Sequence, residues 1–282
     1  MKITIDDDFD LDKIIDSGQC FRPRRIEDGV YSFITGEHKV EIVDESLLKG
    51  RKPGKCEDEP TELSVSCSGK EWDSIWHLYF DLDTNYRKIR KSIPKDDKYL
   101  QNAAKLGAGI RILRQDKFEM LISFIISQRK SIPAIRTSVE RIVDLYGHDG
   151  FFPKPDDMLN ATEEDLKNCA LGYRVPYIIK AVERVAHRDV DLDELNTLSD
   201  EDLFEELKSF AGVGDKVANC VALFAYHRTG RAPVDTWIAR VINEQYAGIN
   251  PFSKYGDVAG IMQQYMFYGV QGKGQRVSEK TL

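Results

Sequence analysis

The chain has 282 residues, 41% of them hydrophobic and 31% charged, and a formal net charge of −7. That length supports a sizeable core and two or three lobes, and no apolar run reaches the roughly 18–20 residues that span a membrane. The acidic balance counts against a protein that coats nucleic acid nonspecifically, but it leaves room for a focused basic surface on an acidic body.

The first residues, Met1-Lys2-Ile3-Thr4-Ile5-Asp6-Asp7-Asp8, are acidic and lack the apolar core of a secretory signal. The five cysteines (Cys20, Cys56, Cys67, Cys169 and Cys220) are scattered, with no C-x-x-C pair, so neither a zinc site nor an iron–sulfur cluster is expected. Reduced thiols fit an intracellular protein, cytoplasmic if the source is prokaryotic.

In chain order, 30–34 and 39–43 are short, rich in β-branched and aromatic residues, and joined by a glycine-containing turn; 63–67 alternates likewise. These segments predict a small antiparallel sheet, and 49–55 a polar loop. From Trp72 the period becomes helical, with Ile75, Leu78, Tyr79 and Leu82 as the apolar stripe. Asp116 is placed to cap a helix bearing Phe118, Leu121, Ile122, Ile125 and Ile126, too apolar to lie on a surface. Helical patterns continue over 131–146, 162–171, 174–187, 200–210, 215–227 and 234–247, and the end from Gly272 reads as a mobile tail. The expected fold class is α+β: a sheet domain over 1–106, then a mostly helical domain over 107–282 with lobes at 123–189 and 190–282. Residues 127–141 carry a net +3 and 215–240 a net +2, two clusters that fit a solvated face as readily as a polyanion.

The run Leu207-Lys208-Ser209-Phe210-Ala211-Gly212-Val213-Gly214-Asp215-Lys216 reads as helix, glycine hairpin, helix. Glycines at 212 and 214 permit positive φ and close approach of a ligand. The bare N–H groups opening the second helix suit a phosphate. Carbonyls on the other side of the turn suit a hard cation bridging to it. Lys216, in the first turn, is either a phosphate-binding lysine or an amine nucleophile for a carbon of carbonyl-like character, such as a nucleotide's C1′. Asp235, after Pro233, is a helix N-cap, a carboxylate beside a developing sugar cation, or both.

The hairpin with its following aspartate resembles the helix-hairpin-helix, Gly/Pro-Asp signature of base-excision DNA glycosylases, and within them the 8-oxoguanine DNA glycosylases. Further stretches fall in the same order: Ser17-Gly18-Gln19-Cys20-Phe21-Arg22, Gly109–Asp116, Ser123-Phe124-Ile125, Leu171-Gly172-Tyr173-Arg174, Ala259–Gln263 and Phe267. The resemblance implies a bifunctional glycosylase/AP lyase, a monomer acting on damaged duplex DNA by base flipping, with no required cofactor. It makes Lys216 the Schiff-base nucleophile and Asp235 the cation stabiliser. The Gly18 carbonyl would accept the N7 proton that separates 8-oxoguanine from guanine, a difference of one hydrogen bond. Cys220 and Phe267 would sandwich the base, and Gln263 would read its Watson–Crick edge. Tyr173 would wedge into the stack, with Arg174 near the opposite base. The carbonyls of Lys208, Phe210 and Val213 match the family's cation-holding positions.

The chain also departs from the pattern. Where eukaryotic members carry S-N-N-N-I-x-R, it has Gln128-Arg129-Lys130-Ser131-Ile132-Pro133-Ala134. Arg129 replaces the asparagine that fills the vacated stack, and Ala134 replaces the arginine that reads the opposite cytosine, which implies a relaxed opposite-base preference. Trp237 stands where the family has a phosphate-binding histidine. Two competing readings are a non-catalytic DNA-binding module, against which Lys216 and Asp235 both speak, and a glycosylase for another oxidised or alkylated base.

Overall fold

The structure is a computed structural model that describes residues 1–51 and 60–271. Most of the expected 49–55 loop, Cys56 and the tail from Gly272 lie outside the described residues. Strands β1 (Lys2–Ile5), β2 (Arg24–Glu27), β3 (Val30–Thr35), β4 (His38–Asp44) and β5 (Thr61–Val65) form one antiparallel sheet in the order β1-β5-β4-β3-β2. Tyr31 and Phe33, Val40 and Ile42, and Leu63 and Val65 all point to the core, the two-residue period of a half-buried sheet. The two strands that the sequence pattern does not reveal, β1 and β2, are the edges; β2 is exposed throughout, so no apolar alternation marks it.

Helices α1 (Leu11–Asp16) and α2 (Glu45–Leu48) punctuate the sheet region. Then α3 (Gly69–Glu71), a π-helical turn (Trp72–Trp76) and α4 (His77–Tyr79) make one run. Its buried stripe is Trp72, Trp76, Tyr79 and Phe80, while Leu78 is exposed. Ile75 and Leu82 pack partly buried against the same core, so of the expected stripe only Leu78 turns outward. Phe80 lies edge-on to Phe33 with centroids 5.0 Å apart, closing the sheet's core. Helices α5 (Tyr86–Lys91) and α6 (Lys98–Leu106) follow; then come α7 (Lys117–Ser127), α8 (Ile132–Tyr146), α9 (Glu163–Asn168), α10 (Val175–Ala186), α11 (Asp200–Lys208), α12 (Asp215–Phe224), α13 (Thr236–Gln245) and α14 (Ala259–Val270).

By contacts the chain forms two compact units, and the division is discontinuous where the sequence-based one is linear. The first comprises 1–33, 40–114 and 229–282; the second comprises 34–39 and 115–228. In the first, α14 packs on α6 and α13. Its pivot is Arg111, fully buried. The guanidinium pairs with Asp7 at 3.0 Å and donates to the carbonyls of Phe80, Asp8, Asp81 and Thr84, so a buried charge is paired and hydrogen-bonded. In the second unit, α7 packs against α8, α10 and α12. The Asp116 carboxylate caps α7 by accepting from the Glu119 N–H at 2.8 Å, as the sequence predicts, and Phe124 stacks on Phe224.

Candidate functional site

The hairpin joins α11 to α12 within the second unit. Leu203, Leu207 and Phe210 before the turn, and Val217, Val221 and Phe224 after it, are all buried, so the two helices are held by the apolar pairs that the sequence places there. The two glycines do different work. Gly212 takes φ +77°, and a Cβ there would lie 2.3 Å from the Tyr177 ring; both conformation and space exclude a side chain. Its conformation lets the turn close, with the Tyr177 ring where a side chain would be. Gly214 has φ −101°, ordinary extended backbone, so the expectation of positive φ at this position is corrected. A Cβ at 214 would meet nothing within 4 Å. Gly214 is the exposed N-cap of α12 and supplies no side-chain cap. The first N–H groups of α12 therefore face an open space at the positive end of the helix dipole.

Lys216 sits in that first turn. Its Nζ donates to Ser127 Oγ at 3.4 Å and lies 5.3 Å from the Phe124 ring centroid. The Ser127 hydroxyl donates in turn to the Phe124 carbonyl at 2.8 Å, which leaves its lone pair for the amine. Ser127, the last residue of α7, is a site residue that sequence reasoning misses; a serine ending an otherwise apolar helix is the signal for it. Cys220, one turn beyond Lys216 on α12, is buried. At the other end of the turn, Lys208 Nζ pairs with Asp215 at 3.1 Å, which holds the Lys208 ammonium above the usual lysine range.

The same unit carries the other residues expected at DNA. Arg129 is exposed, at φ +52°, and Tyr173 is 52% exposed. Arg174 is not displayed: it is 5% exposed, donates to the carbonyls of Leu171 at 3.0 Å and Gln128, and stacks 4.3 Å from the Tyr173 ring centroid. Its two Nη atoms serve main-chain oxygens, an internal role that the sequence reading does not anticipate.

The first unit holds the other group. Gly18 takes φ +80°, in a loop fixed from both sides. Gln19 donates to Ser17 Oγ and to the Arg111 carbonyl, both at 2.8 Å, and accepts from the Leu113 N–H; Gln264 on α14 donates to the Ser17 carbonyl. The motifs 17–22 and 109–116 are thus two sides of one hydrogen-bond network. Gln264, the second of two glutamines in an otherwise apolar helix, is what the sequence reading passes over. Gln263 is buried, and its Oε1 has no partner among the described residues. A buried acceptor left open marks a place for a donor. Phe267, four residues on, shares its helix face and is half-buried.

Asp235 caps α13, its carboxylate accepting from the Ile238 N–H at 2.9 Å, and remains partly accessible. Trp237, 45% exposed at the start of α13, has one N–H donor and no basic nitrogen for phosphate.

Fold and residues together define a DNA-base-excision type of protein, and comparison with known proteins agrees. Residues 2–121 match the model of the 8-oxoguanine DNA glycosylase N-terminal domain, and residues 122–262 that of the HhH-GPD superfamily of base excision DNA repair proteins. The Saccharomyces cerevisiae N-glycosylase/DNA lyase is 34% identical over 67% of this chain and 57% of its own. Among solved structures, Clostridium acetobutylicum 8-oxoguanine glycosylase/lyase, bound to DNA with cytosine opposite 8-oxoguanine, superposes with a TM-score of 0.82. It is 33% identical over 96% of this chain and 97% of that one. MBOgg1, bound to a low-affinity DNA ligand, superposes with a TM-score of 0.84, at 32% identity over 97% and 96%. The chain belongs to the 8-oxoguanine DNA glycosylase family of the HhH-GPD superfamily.

Proposed function

We propose that this protein excises 8-oxoguanine from duplex DNA and then cleaves the strand at the resulting abasic site, acting as a monomer. Family membership supports this activity, and so do relatives named N-glycosylase/DNA lyase. The observation that carries the chemistry is the open N-terminus of α12 with Lys216 in its first turn beside Ser127. A duplex phosphate can rest on the bare N–H groups of this helix while the amine stays free of any carboxylate partner among the described residues.

The reaction runs in two parts. The Lys216 Nζ lone pair forms a bond to C1′ as the C1′–N9 bond breaks, and the base leaves with that electron pair and takes up a proton from Nζ. The Asp235 carboxylate, fixed as the α13 cap, stabilises the cationic character developing at the sugar. Opening of the sugar ring gives an imine between Nζ and C1′. Loss of a C2′ proton then expels the 3′ phosphate, which breaks the strand. The Gly18 carbonyl accepts the N7 proton of the lesion, the open Gln263 amide meets its Watson–Crick edge, and Phe267 and Cys220 stack on its faces. Arg129 and Tyr173, the displayed side chains of the second unit, meet the duplex around the gap.

The donors proposed for a cation are the carbonyls of Lys208, Phe210 and Val213. They fit a hard cation: all are oxygens, beyond the negative end of the α11 dipole, and the Phe210 carbonyl, which accepts the Val213 N–H at 3.0 Å, keeps a second lone pair. Such an ion would supply positive charge to a phosphate at the hairpin.

Borohydride reduction on an 8-oxoguanine duplex tests the reading. A covalent protein–DNA adduct is expected, and it should disappear in Lys216→Gln. An adduct that persists in that variant assigns the nucleophile elsewhere. No adduct and no excision with any oxidised or alkylated base would leave a binding module.

A further inference from the structure

Arg129 and Tyr173 stand on two neighbouring loops of the second unit, and each loop contains a residue in a backbone conformation that side chains disfavour. Arg129 has φ +52° and Ala170 φ +59°. Left-handed non-glycine residues persist only where their surroundings over-determine them. Here the surroundings are cations. Arg174, 5% exposed, donates from one Nη to Leu171 O and from the other to Gln128 O. Lys130 Nζ donates to Ala170 O and Ser138 Oγ, both at 2.6 Å. Arg141 donates to Asn168 O at 3.0 Å. The two loops are thus tied by side chains running in both directions: Arg174 reaches back to 128, and Lys130 reaches forward to 170. Burial, with Arg174 and Arg141 nearby, presses the Lys130 ammonium below the usual lysine range. This crowding of positive charge is sustained by main-chain dipoles and would draw phosphate to the same surface.

We propose that Arg174 is a positioning residue that acts through Arg129: it locks the Gln128–Arg129 turn onto the 170–174 loop, with Lys130 as the second brace. This rests on the reading of Arg129 as a residue that meets the duplex. Without the Arg174 guanidinium both carbonyl bonds are lost, and with them the support of the turn that presents Arg129.

The test uses the full-length protein with Arg174→Gln, Arg174→Lys, Arg129→Ala and the Arg129→Ala/Arg174→Gln double variant. Single-turnover excision of 8-oxoguanine opposite each of the four bases is expected to slow about tenfold in Arg174→Gln and in Arg129→Ala, equally for every opposite base, with the double within about threefold of the slower single. Rates that multiply in the double variant, or an Arg174→Gln defect confined to one opposite base, overturn the proposal. Limited trypsin digestion reads the brace without DNA. Cutting after Arg129 and Lys130 is expected to rise about tenfold in Arg174→Gln at an unchanged thermal midpoint, with Arg174→Lys in between. Unchanged cutting overturns the brace. Should Arg174→Gln fail to fold, Lys130→Met removes the other brace and carries the same measurements, with trypsin cutting read after Arg129 alone. If the wild-type protein excises no lesion, the proposed activity fails, while the trypsin result still decides the brace.

Discussion

Helices α12 and α13 begin in opposite ways. The N-terminus of α13 is closed by Asp235, whose carboxylate occupies the Ile238 N–H. The N-terminus of α12 begins at a glycine with no side chain to offer, in open space. A capped N-terminus holds a negative charge of its own and is worth about 1 kcal/mol to the fold. An uncapped one forgoes that stabilisation and can take an external anion. The chain thus keeps a fixed carboxylate where positive charge is proposed to develop, and leaves bare N–H groups where a phosphate is proposed to sit. The same contrast separates the Gly18 loop, bound on both sides by Gln19 and Gln264, from the exposed Gly214. Discriminating one hydrogen bond requires a carbonyl that cannot move, whereas a phosphate requires access.

The largest expected effect comes from separating the two roles of Asp235. Asparagine caps a helix as well as aspartate does, so Asp235→Asn should leave the thermal midpoint in place. Its loss of charge should slow single-turnover excision about 100- to 1,000-fold. Asp235→Ala should lose both, with stability falling by about 1 kcal/mol. If Asp235→Asn excises at the wild-type rate, the residue is a cap and nothing more.

The next effect closes the open helix. Gly214 has space for a side chain and a backbone that any residue adopts. Gly214→Asp should cap α12 and hold stability within about 0.5 kcal/mol. Its carboxylate would take the phosphate's place, and affinity for an abasic-site duplex should fall about tenfold at low salt, with less loss at high salt. Unchanged binding would mean that the phosphate rests elsewhere.

How far the sequence reached follows the range of the interactions involved. The hairpin, Lys216 and the Asp116 and Asp235 caps are legible because each depends on residues within a few positions. The strands β3, β4 and β5 show because their buried faces alternate. The bracing role of Arg174 is not legible, because one of the two carbonyls that hold it lies 46 residues away in sequence. Gly212 and Gly214 look alike in sequence; their backbone conformations and the Tyr177 ring tell them apart. The run from Trp72 is helical as expected and its stripe meets the core at Ile75, Tyr79 and Leu82, but Leu78 faces outward and Trp72, Trp76 and Phe80 join the buried face. Gln19 enters the sequence reading only as one letter of a motif, and what it does, clamping 17–19 to 111–113, needs the fold.

The smallest effect concerns the base opposite the lesion. Ala134 lies exposed in the first turn of α8, and a methyl group has no donor for a base edge. Arg174 is turned inward and engaged. Among the residues singled out on this surface, only Arg129 presents a displayed guanidinium, and by the same reasoning it fills the gap without preference for a partner. Excision opposite cytosine and opposite adenine should therefore agree within about threefold, since a well-placed donor pair would separate them by roughly 1–3 kcal/mol. Ala134→Arg restores such a donor and should raise the cytosine-to-adenine ratio about tenfold. A strong cytosine preference already present in the wild type would have to come from Arg129, and Arg129→Ala would then abolish the preference instead of slowing all four duplexes alike.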